Sequence, residues 1–378
     1  MGHIYTPGLK VTEFYRIRKR RILPLKGETL VRVGDRVTPD DVVAKADLPG
    51  RAEPVNVANL LGIPATELAL FMKYKEGDAI EKGEIIAENK GFFGLFKTQI
   101  RSPVKGTIEN ISTVTGQVLV RSEPIPVEVK AYIRGKVVEV VPEEGAVVEA
   151  VGSFIQGIFG IGGERHGEIT VVVSSPEEVL DETKIRPEHQ GRVLVGGSMI
   201  TASAIRRAEE YRVSGIVVGG IDDRDLRDFI GYDIGVAITG NEDINTTLVI
   251  SEGFGEMPMA ERTFALLKKY EGKDASISGA TQIRAGVIRP EVVIPLEDVT
   301  EQRMKEIEKR SEELPVLSIG SLMRVIRIPY FGKIGKVVAL PPELQKLESE
   351  TSARVLEIEF PDGTRAIVPR ANVEVIEE

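Results

Sequence analysis

The pattern of apolar and polar residues changes along the 378-residue chain. Residues 1–170 carry short alternating runs of Val, Ile and polar residues broken by glycine, which is typical of strands joined by tight turns. Residues 171–300 alternate apolar runs with segments of helical spacing, and residues 315–378 return to short strands. Between them, residues 301–314 are highly charged with sparse apolar positions, which predicts a solvated linker helix. The chain therefore divides into three predicted modules and one linker.

The middle region predicts a mostly parallel sheet with crossover helices. Its apolar spacing predicts strands at 170–173, 192–195, 214–218, 236–239 and 247–250, and helices at 201–211, 225–230 and 259–270. Strands that alternate with helices imply parallel neighbours joined by right-handed crossovers. In the first region, one helical candidate spans residues 55–72, with a helix start at Pro64.

A repeat of two glycine-centred turns occurs in the first region. Its clearest copies span residues 31–44 and 73–87, and partial copies lie at 102–120 and 135–148. Each clear copy has a Gly-Asp turn followed by a second turn, with apolar residues between them. Glycine supplies the positive φ that such turns need. Stacked copies predict a small β-sandwich or barrel.

The segments KEGDAIEKGEIIAE and IRSPVKGTIENI, within residues 75–111, resemble the barrel-sandwich hybrid fold of biotinyl and lipoyl carrier domains. In that family the modified lysine lies on a tight hairpin, in a Met-Lys-Met or Asp-Lys-Ala context. Lys90 and Lys97 lie in neither context, so we expect no biotin or lipoate cofactor. Unmodified hybrid domains also occur in the C subunit of Rnf-type electron-transfer complexes.

The hairpin region between these segments carries an apolar tip at 91–96. Its large apolar residues are Phe92, Phe93, Leu95 and Phe96. The tip either folds onto its own core or contacts a partner or a second copy of the chain. Both interpretations stay open, and the second makes a homo-oligomer a candidate assembly.

Three predicted strand ends of the middle region converge on a candidate site for a small anionic ligand. In an open parallel sheet, ligands bind beyond the carboxyl ends of the strands, and free amides at helix N-termini attract anions. The simpler interpretation is a set of ordinary strand-to-helix turns. The candidate residues are Gly196, Gly197, Ser198, Thr201, Gly219, Gly220, Asp222, Thr239 and Asn241. Nearby, Arg284 and Arg289 either bind a phosphate or carboxylate or pair with the chain's own acidic side chains.

The segment SGIVVGGIDDRDL, residues 214–226, resembles the swivelling α/β/α fold of phosphohistidine domains and of the family that regulates RNase E. The phosphocarrier activity of such domains needs a histidine in this region. His189 precedes the predicted sheet, and no histidine follows it. Phosphotransfer through histidine is therefore not expected.

The segment GSLMRVIRIPYFGKIGKVV, residues 320–338, resembles the KOW motif of NusG-type transcription factors and several ribosomal proteins. Strand-like runs at 355–360, 365–369 and 373–376 complete the pattern. The resemblance implies a small SH3-like β-barrel that binds RNA, ribosomal surfaces or RNA polymerase. Basic and aromatic residues cluster around this loop: Arg324, Arg327, Tyr330, Phe331, Lys333 and Lys336.

The composition limits the chemistry. The net charge is −9, and an acidic chain is not a general nucleic-acid binder, so any phosphate contact must come from a local basic patch. One such patch is a basic arm that ends in Arg18, Lys19, Arg20 and Arg21; it contacts phosphates or forms a charged edge strand that discourages aggregation. The chain has no Cys, which excludes disulfides, Cys-ligated metals and thiol catalysis, and its three His argue against a His-rich metal site.

The location is expected to be cytoplasmic. No apolar run is long enough to cross a membrane, and the N-terminus lacks the pattern of a signal peptide. Plentiful charged and β-branched residues and the absence of Cys resemble a thermophile composition.

The sequence thus predicts a multidomain α+β and α/β protein. Its parts are a β-rich barrel-sandwich hybrid at 1–170, a central α/β sheet domain at 171–300, the linker helix at 301–314 and an SH3-like β-barrel at 315–378. Our leading hypothesis is a non-enzymatic binding or scaffold protein that engages a nucleic-acid or ribonucleoprotein machine through the barrel and the basic arm. One alternative is a ligand-binding protein or enzyme that uses the α/β domain. Another is an unmodified accessory subunit of a carrier or electron-transfer assembly.

Overall fold

The computed structural model describes residues 9–89, 97–231, 244–281, 288–297, 299, 303, 305–306, 317–325, 330, 333–341, 344–346 and 352–375. In this part of the chain the fold is β-rich, with strands arranged in five sheets. The α-helices with described boundaries are short: α1 (Val57–Leu61), α2 (Leu68–Phe71), α3 (Ala202–Glu210), α4 (Asp223–Ile230) and α5 (Glu261–Lys269).

The strands follow one another closely along the chain. They are β1 (Val11–Ile22), β2 (Glu28–Thr29), β3 (Arg36–Val37), β4 (Val42–Leu48), β5 (Ala52–Val55), β6 (Ala79–Ile80), β7 (Ile85–Asn89), β8 (Thr98–Arg101), β9 (Gly106–Ile111), β10 (Val118–Ser122), β11 (Ile125–Lys130), β12 (Gly135–Val141), β13 (Gly145–Gln156), β14 (Phe159–Ile161), β15 (Glu164–Val171), β16 (Val193–Val195), β17 (Met199–Ile200), β18 (Gly215–Ile221), β19 (Thr247–Phe254), β20 (Asp274–Ser278), β21 (Glu291–Pro295), β22 (Leu322–Val325), β23 (Ile334–Ala339), β24 (Leu344–Lys346), β25 (Ser352–Glu359), β26 (Arg365–Pro369) and β27 (Val373–Val375).

One twelve-stranded sheet joins strands from both sides of residue 170. Its order is β14-β19-β18-β16-β15-β20-β21-β13-β12-β3, with β1 beside β13 and β17 beside β18. The predicted domain boundary at 170 falls inside β15, which pairs with β16 in parallel and with β20 in antiparallel orientation. The first and middle regions therefore share a continuous hydrogen-bonded sheet.

The predicted parallel sheet is present in the middle region. The pairs β15–β16, β16–β18 and β18–β19 are all parallel. Val193 and Val195 pack in one apolar core with α5, whereas Leu194 packs in a second core with α3 and α4. Because successive residues of a strand point to opposite faces, helices cover both sides of this sheet. The predicted strand at 236–239 lies outside the described residues.

The glycine-centred repeat is visible as a repeated turn. Asp35 Oδ2 accepts the Arg32 amide at 2.8 Å, and Asp78 Oδ2 accepts the Lys75 amide at 2.6 Å. Gly34 and Gly77 hold the matching left-handed positions, with φ of 100° and 91°. Each turn leads into a two-residue strand, a second turn and a longer strand, β3 and β4 in one copy, β6 and β7 in the other.

The helical prediction over residues 55–72 is only partly correct. The structure has two short helices, α1 and α2, instead of one. Gly62 adopts a left-handed φ of 66° that ends α1, and a short 3-10 turn begins after Pro64. Their inward residues, including Val57 and Leu68, pack in a core with β6 to β10.

The C-terminal module, residues 317–375, is a separate six-stranded sheet with its own apolar core. Its order is β24-β25-β23-β22-β27, with β26 beside β25. The core centres on Met323, Val337, Leu356 and Phe360. Most of the predicted linker helix at 301–314 lies outside the described residues. Within the described part of the chain, no helix is long and apolar enough to cross a membrane.

Candidate functional site

The basic arm forms most of β1, and its charges are largely neutralised within the fold. Lys19 pairs with Glu291, and Arg21 donates two bonds to Glu164 at 2.7 and 2.6 Å. The neighbouring Arg18 points outward and pairs with Glu149 at 2.6 Å. Arg20 is exposed. Arg18, Lys19 and Arg21 of the arm thus already have internal carboxylate partners.

The predicted anion site at the strand ends is filled by the chain's own backbone. Gly196 donates its amide to the Val217 carbonyl at 2.9 Å, and Gly219 donates to Gly197 at 2.8 Å. Ser198 is buried, and its amide donates to Glu178 at 3.0 Å. These three amides therefore already have backbone partners.

Close approach of two loops explains the glycines at these positions. A Cβ atom on Gly197 would lie 2.2 Å from the Glu178 carbonyl oxygen, and one on Gly219 would lie 2.0 Å from that of Met257. At Gly220 the clash would be with Gly255, also at 2.0 Å. The glycines admit neighbouring backbone here, which gives these three residues a packing role.

The two polar candidates beside these glycines are helix caps. Thr201 Oγ1 accepts the Ala204 amide at 3.2 Å and begins α3, and Asp222 Oδ1 accepts the Arg224 amide at 2.8 Å and begins α4. The Asp225 carboxylate accepts a further amide of α3, that of Ala202, at 3.1 Å. Thr201 and Asp222 thus satisfy amides that a bound anion would otherwise use.

Arg324 of the C-terminal module lies in a buried contact with the parallel sheet. It pairs with Glu252 near the end of β19, and the two side chains are 4% and 5% exposed. Its Nη1 also donates to the Ser251 carbonyl at 3.3 Å. Glu252 Oε1 accepts the Ala260 amide before α5 at 3.0 Å. Arg324, which the sequence assigned to a partner-binding surface, instead links two modules of the chain.

The other described candidates of that module stay at its surface. Lys333 is about half exposed, 3.9 Å from Asp362, and lies 5.2 Å from the centre of the Phe360 ring. Lys336 is exposed on β23, opposite Glu359 of β25. Tyr330 is half-buried against Phe360, with ring centres 5.4 Å apart. Together they form an exposed, mixed basic and aromatic surface.

A polar cleft that the sequence did not predict lies between the first region and the parallel sheet. Asp40 Oδ1 accepts from Lys130 Nζ at 2.8 Å, and Asp40 Oδ2 lies 2.7 Å from His166 Nε2. These two hydrogen bonds hold the pKa of Asp40 below its usual value. Tyr132 lies beside them, and burial, together with the carboxylates of Glu291 and Glu164, raises its pKa well above the usual value.

One signal for this cleft was present in the repeat. Aligned on their Gly-Asp turns, the two copies place Asp40 where the second copy has Gly83. Gly83 has a φ of 83° and simply completes a turn. The acidic replacement in the first copy supplies the carboxylate that Lys130 and His166 contact. Those two partners are far away in sequence, and no local pattern marked them.

Several predicted site residues lie outside the described residues. They are Phe92, Phe93, Leu95, Phe96, Thr239, Asn241, Arg284, Arg327 and Phe331, with Lys90. Arg289 is described and half-buried, and Lys97 pairs with Glu88 at 2.9 Å. Among the described residues, no group of three or more acidic or histidine side chains is arranged to hold a metal ion.

Comparison with known proteins does not assign a family: no protein-family model matches the chain, and no curated protein matches it either.

Proposed function

We propose that the protein is a non-enzymatic, multidomain binding protein that engages an RNA-containing partner through a KOW-like, SH3-type barrel formed by the C-terminal module. The observation that carries this proposal is the unequal burial of the basic residues of that module. Its buried Arg324 is joined to Glu252 of the body, whereas Lys333 and Lys336 remain at the surface. A barrel held in this way presents Lys333 and Lys336 outward.

The surface chemistry supports an RNA contact of modest strength. Lys333 is 3.9 Å from Asp362, and such exposed pairs contribute little, so the lysine can exchange its partner for a phosphate. The Tyr330 and Phe360 rings lie beside it and can contact bases or apolar side chains. The same module also exposes Ile319, at 68%. The net acidity of the chain confines phosphate binding to this local patch.

The remaining modules fit a supporting role in this proposal. We infer that the helices and strands between β5 and β10 form an unmodified barrel-sandwich hybrid, and that the parallel sheet with helices on both faces is a swivelling-type α/β/α unit. The strand ends of that unit are filled by backbone, which favours a packing role over catalysis at that place. The basic arm is ion-paired and contributes mainly Arg20.

The test is binding of the full chain to a stem–loop RNA and, separately, to purified ribosomes, measured at several salt concentrations. We expect the double variant Lys333→Glu, Lys336→Glu to weaken binding about ten-fold or more. It should also reduce the slope of log affinity against log salt by about 2, because each lost phosphate contact removes about one released counterion.

The matched control is Lys75→Glu with Lys82→Glu, which makes the same change in net charge on exposed lysines of the repeat near β6. It should leave affinity and salt slope within about two-fold of wild type, as expected when no phosphate contact is lost. Equal losses in both double variants would indicate nonspecific electrostatics. Absence of binding by wild type to both RNA and ribosomes would refute the proposal.

A further inference from the structure

The polar cleft beside Tyr132 has the features of a ligand site that the proposed function does not use. Its volume is about 270 Å³, and its walls come from the turn at Asp40, the segment after β11 and the start of β15. Ser214, which precedes β18, forms part of the wall. The cleft therefore lies at the amino end of that strand, away from the filled carboxyl ends.

Among the described residues beside the cleft, one cation has no carboxylate partner. Asp40 is contacted by Lys130 and His166, and Glu164 receives two bonds from Arg21 at 2.7 and 2.6 Å. Arg165, which also lines the cleft, has no carboxylate partner among the described residues. Its Nη2 donates to a neutral group, the Ile244 carbonyl, at 2.5 Å. A guanidinium group without a carboxylate partner would attract an anion.

The buried Nε of Arg165, a cleft-lining residue, has no hydrogen-bond partner in the described part of the chain. The buried Tyr132 hydroxyl lies against the Glu291 carboxylate. Buried polar groups are nearly always paired, and an exception often marks a bound water, ion or ligand. A group that accepts hydrogen bonds in this cleft would lower the cost of burying Arg165.

The backbone at Tyr132 is held in an unfavourable conformation. Its φ is 68°, in the left-handed region that large side chains rarely adopt. Two hydrogen bonds hold it: its amide donates to the Pro39 carbonyl at 3.0 Å, and its carbonyl accepts from the Ser276 hydroxyl at 2.6 Å. Strain of this kind persists where the surrounding structure enforces it, and it is enriched at ligand sites.

We propose that this cleft binds a small anion through a phosphate or carboxylate group, with Arg165 as the main contact and Lys130 and His166 beside it. A guanidinium group presents parallel donors that match two oxygens of either group. The volume is just below the usual range for ligand pockets, which suits a small anion. One guanidinium group beside two carboxylates, Asp40 and Glu164, suits a single anionic group better than a polyanion.

The experiment is calorimetric titration of the full chain with inorganic phosphate and, separately, with succinate, alongside thermal melting with each anion. We expect saturable binding of at least one anion in the millimolar range or tighter, with a rise in melting temperature. Arg165→Gln should weaken binding about ten-fold or more, as expected for loss of charged hydrogen bonds. Arg206→Gln, on the exposed face of α3, makes the same charge change and should bind like wild type.

A second variant keeps the test decisive if Arg165→Gln does not fold. Lys130 is about half exposed, and Lys130→Gln leaves the charge of Asp40 less compensated, so anion binding should weaken several-fold. Binding of phosphate alone would indicate a phosphorylated ligand, and binding of succinate alone a carboxylic acid.

Two results would overturn the proposal. One is the absence of saturable binding of either anion to wild type. The other is wild-type affinity in Lys130→Gln and in any folded Arg165→Gln. The Lys333→Glu, Lys336→Glu variant should retain anion binding, so the proposal for the cleft and the proposal for the barrel are tested independently.

Discussion

At the scale of single residues, the charges of this acidic chain work mainly as local clusters. The Glu88 carboxylate is one example: it accepts from Lys97 at 2.9 Å, Lys73 at 3.1 Å and Gln99 at 3.3 Å. The hydrogen bonds from the two lysines, that of Lys97 first, lower the pKa of Glu88 to about 2. The cluster links the strands β7 and β8 on either side of the apolar tip.

Acid titration should reveal this cluster. Because the pKa of Glu88 is lower in the folded chain than in the unfolded one, its contribution to stability is fully present above the unfolded pKa. That contribution is lost as the pH falls from about 5 towards 2. In urea unfolding, Glu88→Gln should be less stable than wild type at neutral pH, and the difference should shrink on acidification. The exposed Glu67→Gln is the control, and a difference that did not change with pH would contradict the assignment.

At the scale of elements, the sequence was informative wherever the signal is local. The Gly-Asp turns, the parallel strands and the three helices of the middle region all follow from spacing. The sequence did not predict that neighbouring backbone fills the space at the strand ends. This filling depends on loops that start near Ser175 and Gly255, whose approach to Gly197 and Gly220 is a tertiary contact.

The cap of α4 gives a test that separates a structural role from a ligand role. Asp222→Ala removes the acceptor for the Arg224 amide and should lower the free energy of unfolding by about 1 kcal/mol. Asp228→Ala, an exposed position within the same helix, removes an equal charge and should cost clearly less. Urea unfolding measures both. Anion affinity should be unchanged in Asp222→Ala; a loss of affinity without a loss of stability would return Asp222 to the list of ligand residues.

At the scale of the whole molecule, the buried ion pair between Arg324 and Glu252 joins residues that are 72 positions apart in the chain. Arg324 and Glu252 each sit in an ordinary strand sequence, and no spacing or motif connects them. Sequence reasoning therefore placed Arg324 with the surface lysines of its loop. Burial changes the energetics of the pair: desolvation of both charges offsets much of their attraction, whereas removing one partner leaves the other charge buried and uncompensated.

A double-mutant cycle measures this contact. Arg324→Met leaves the Glu252 carboxylate buried without its cation, and Glu252→Leu leaves the guanidinium buried without its anion. Each should destabilise the chain by about 3–5 kcal/mol in urea unfolding. The double variant should recover much of that loss, because both charges are gone and an apolar pair replaces them. The recovery is the coupling energy, and additive losses would mean that the two side chains do not depend on each other. If the barrel also loses RNA affinity in the single variants and regains it in the double variant, the module must be docked in order to bind.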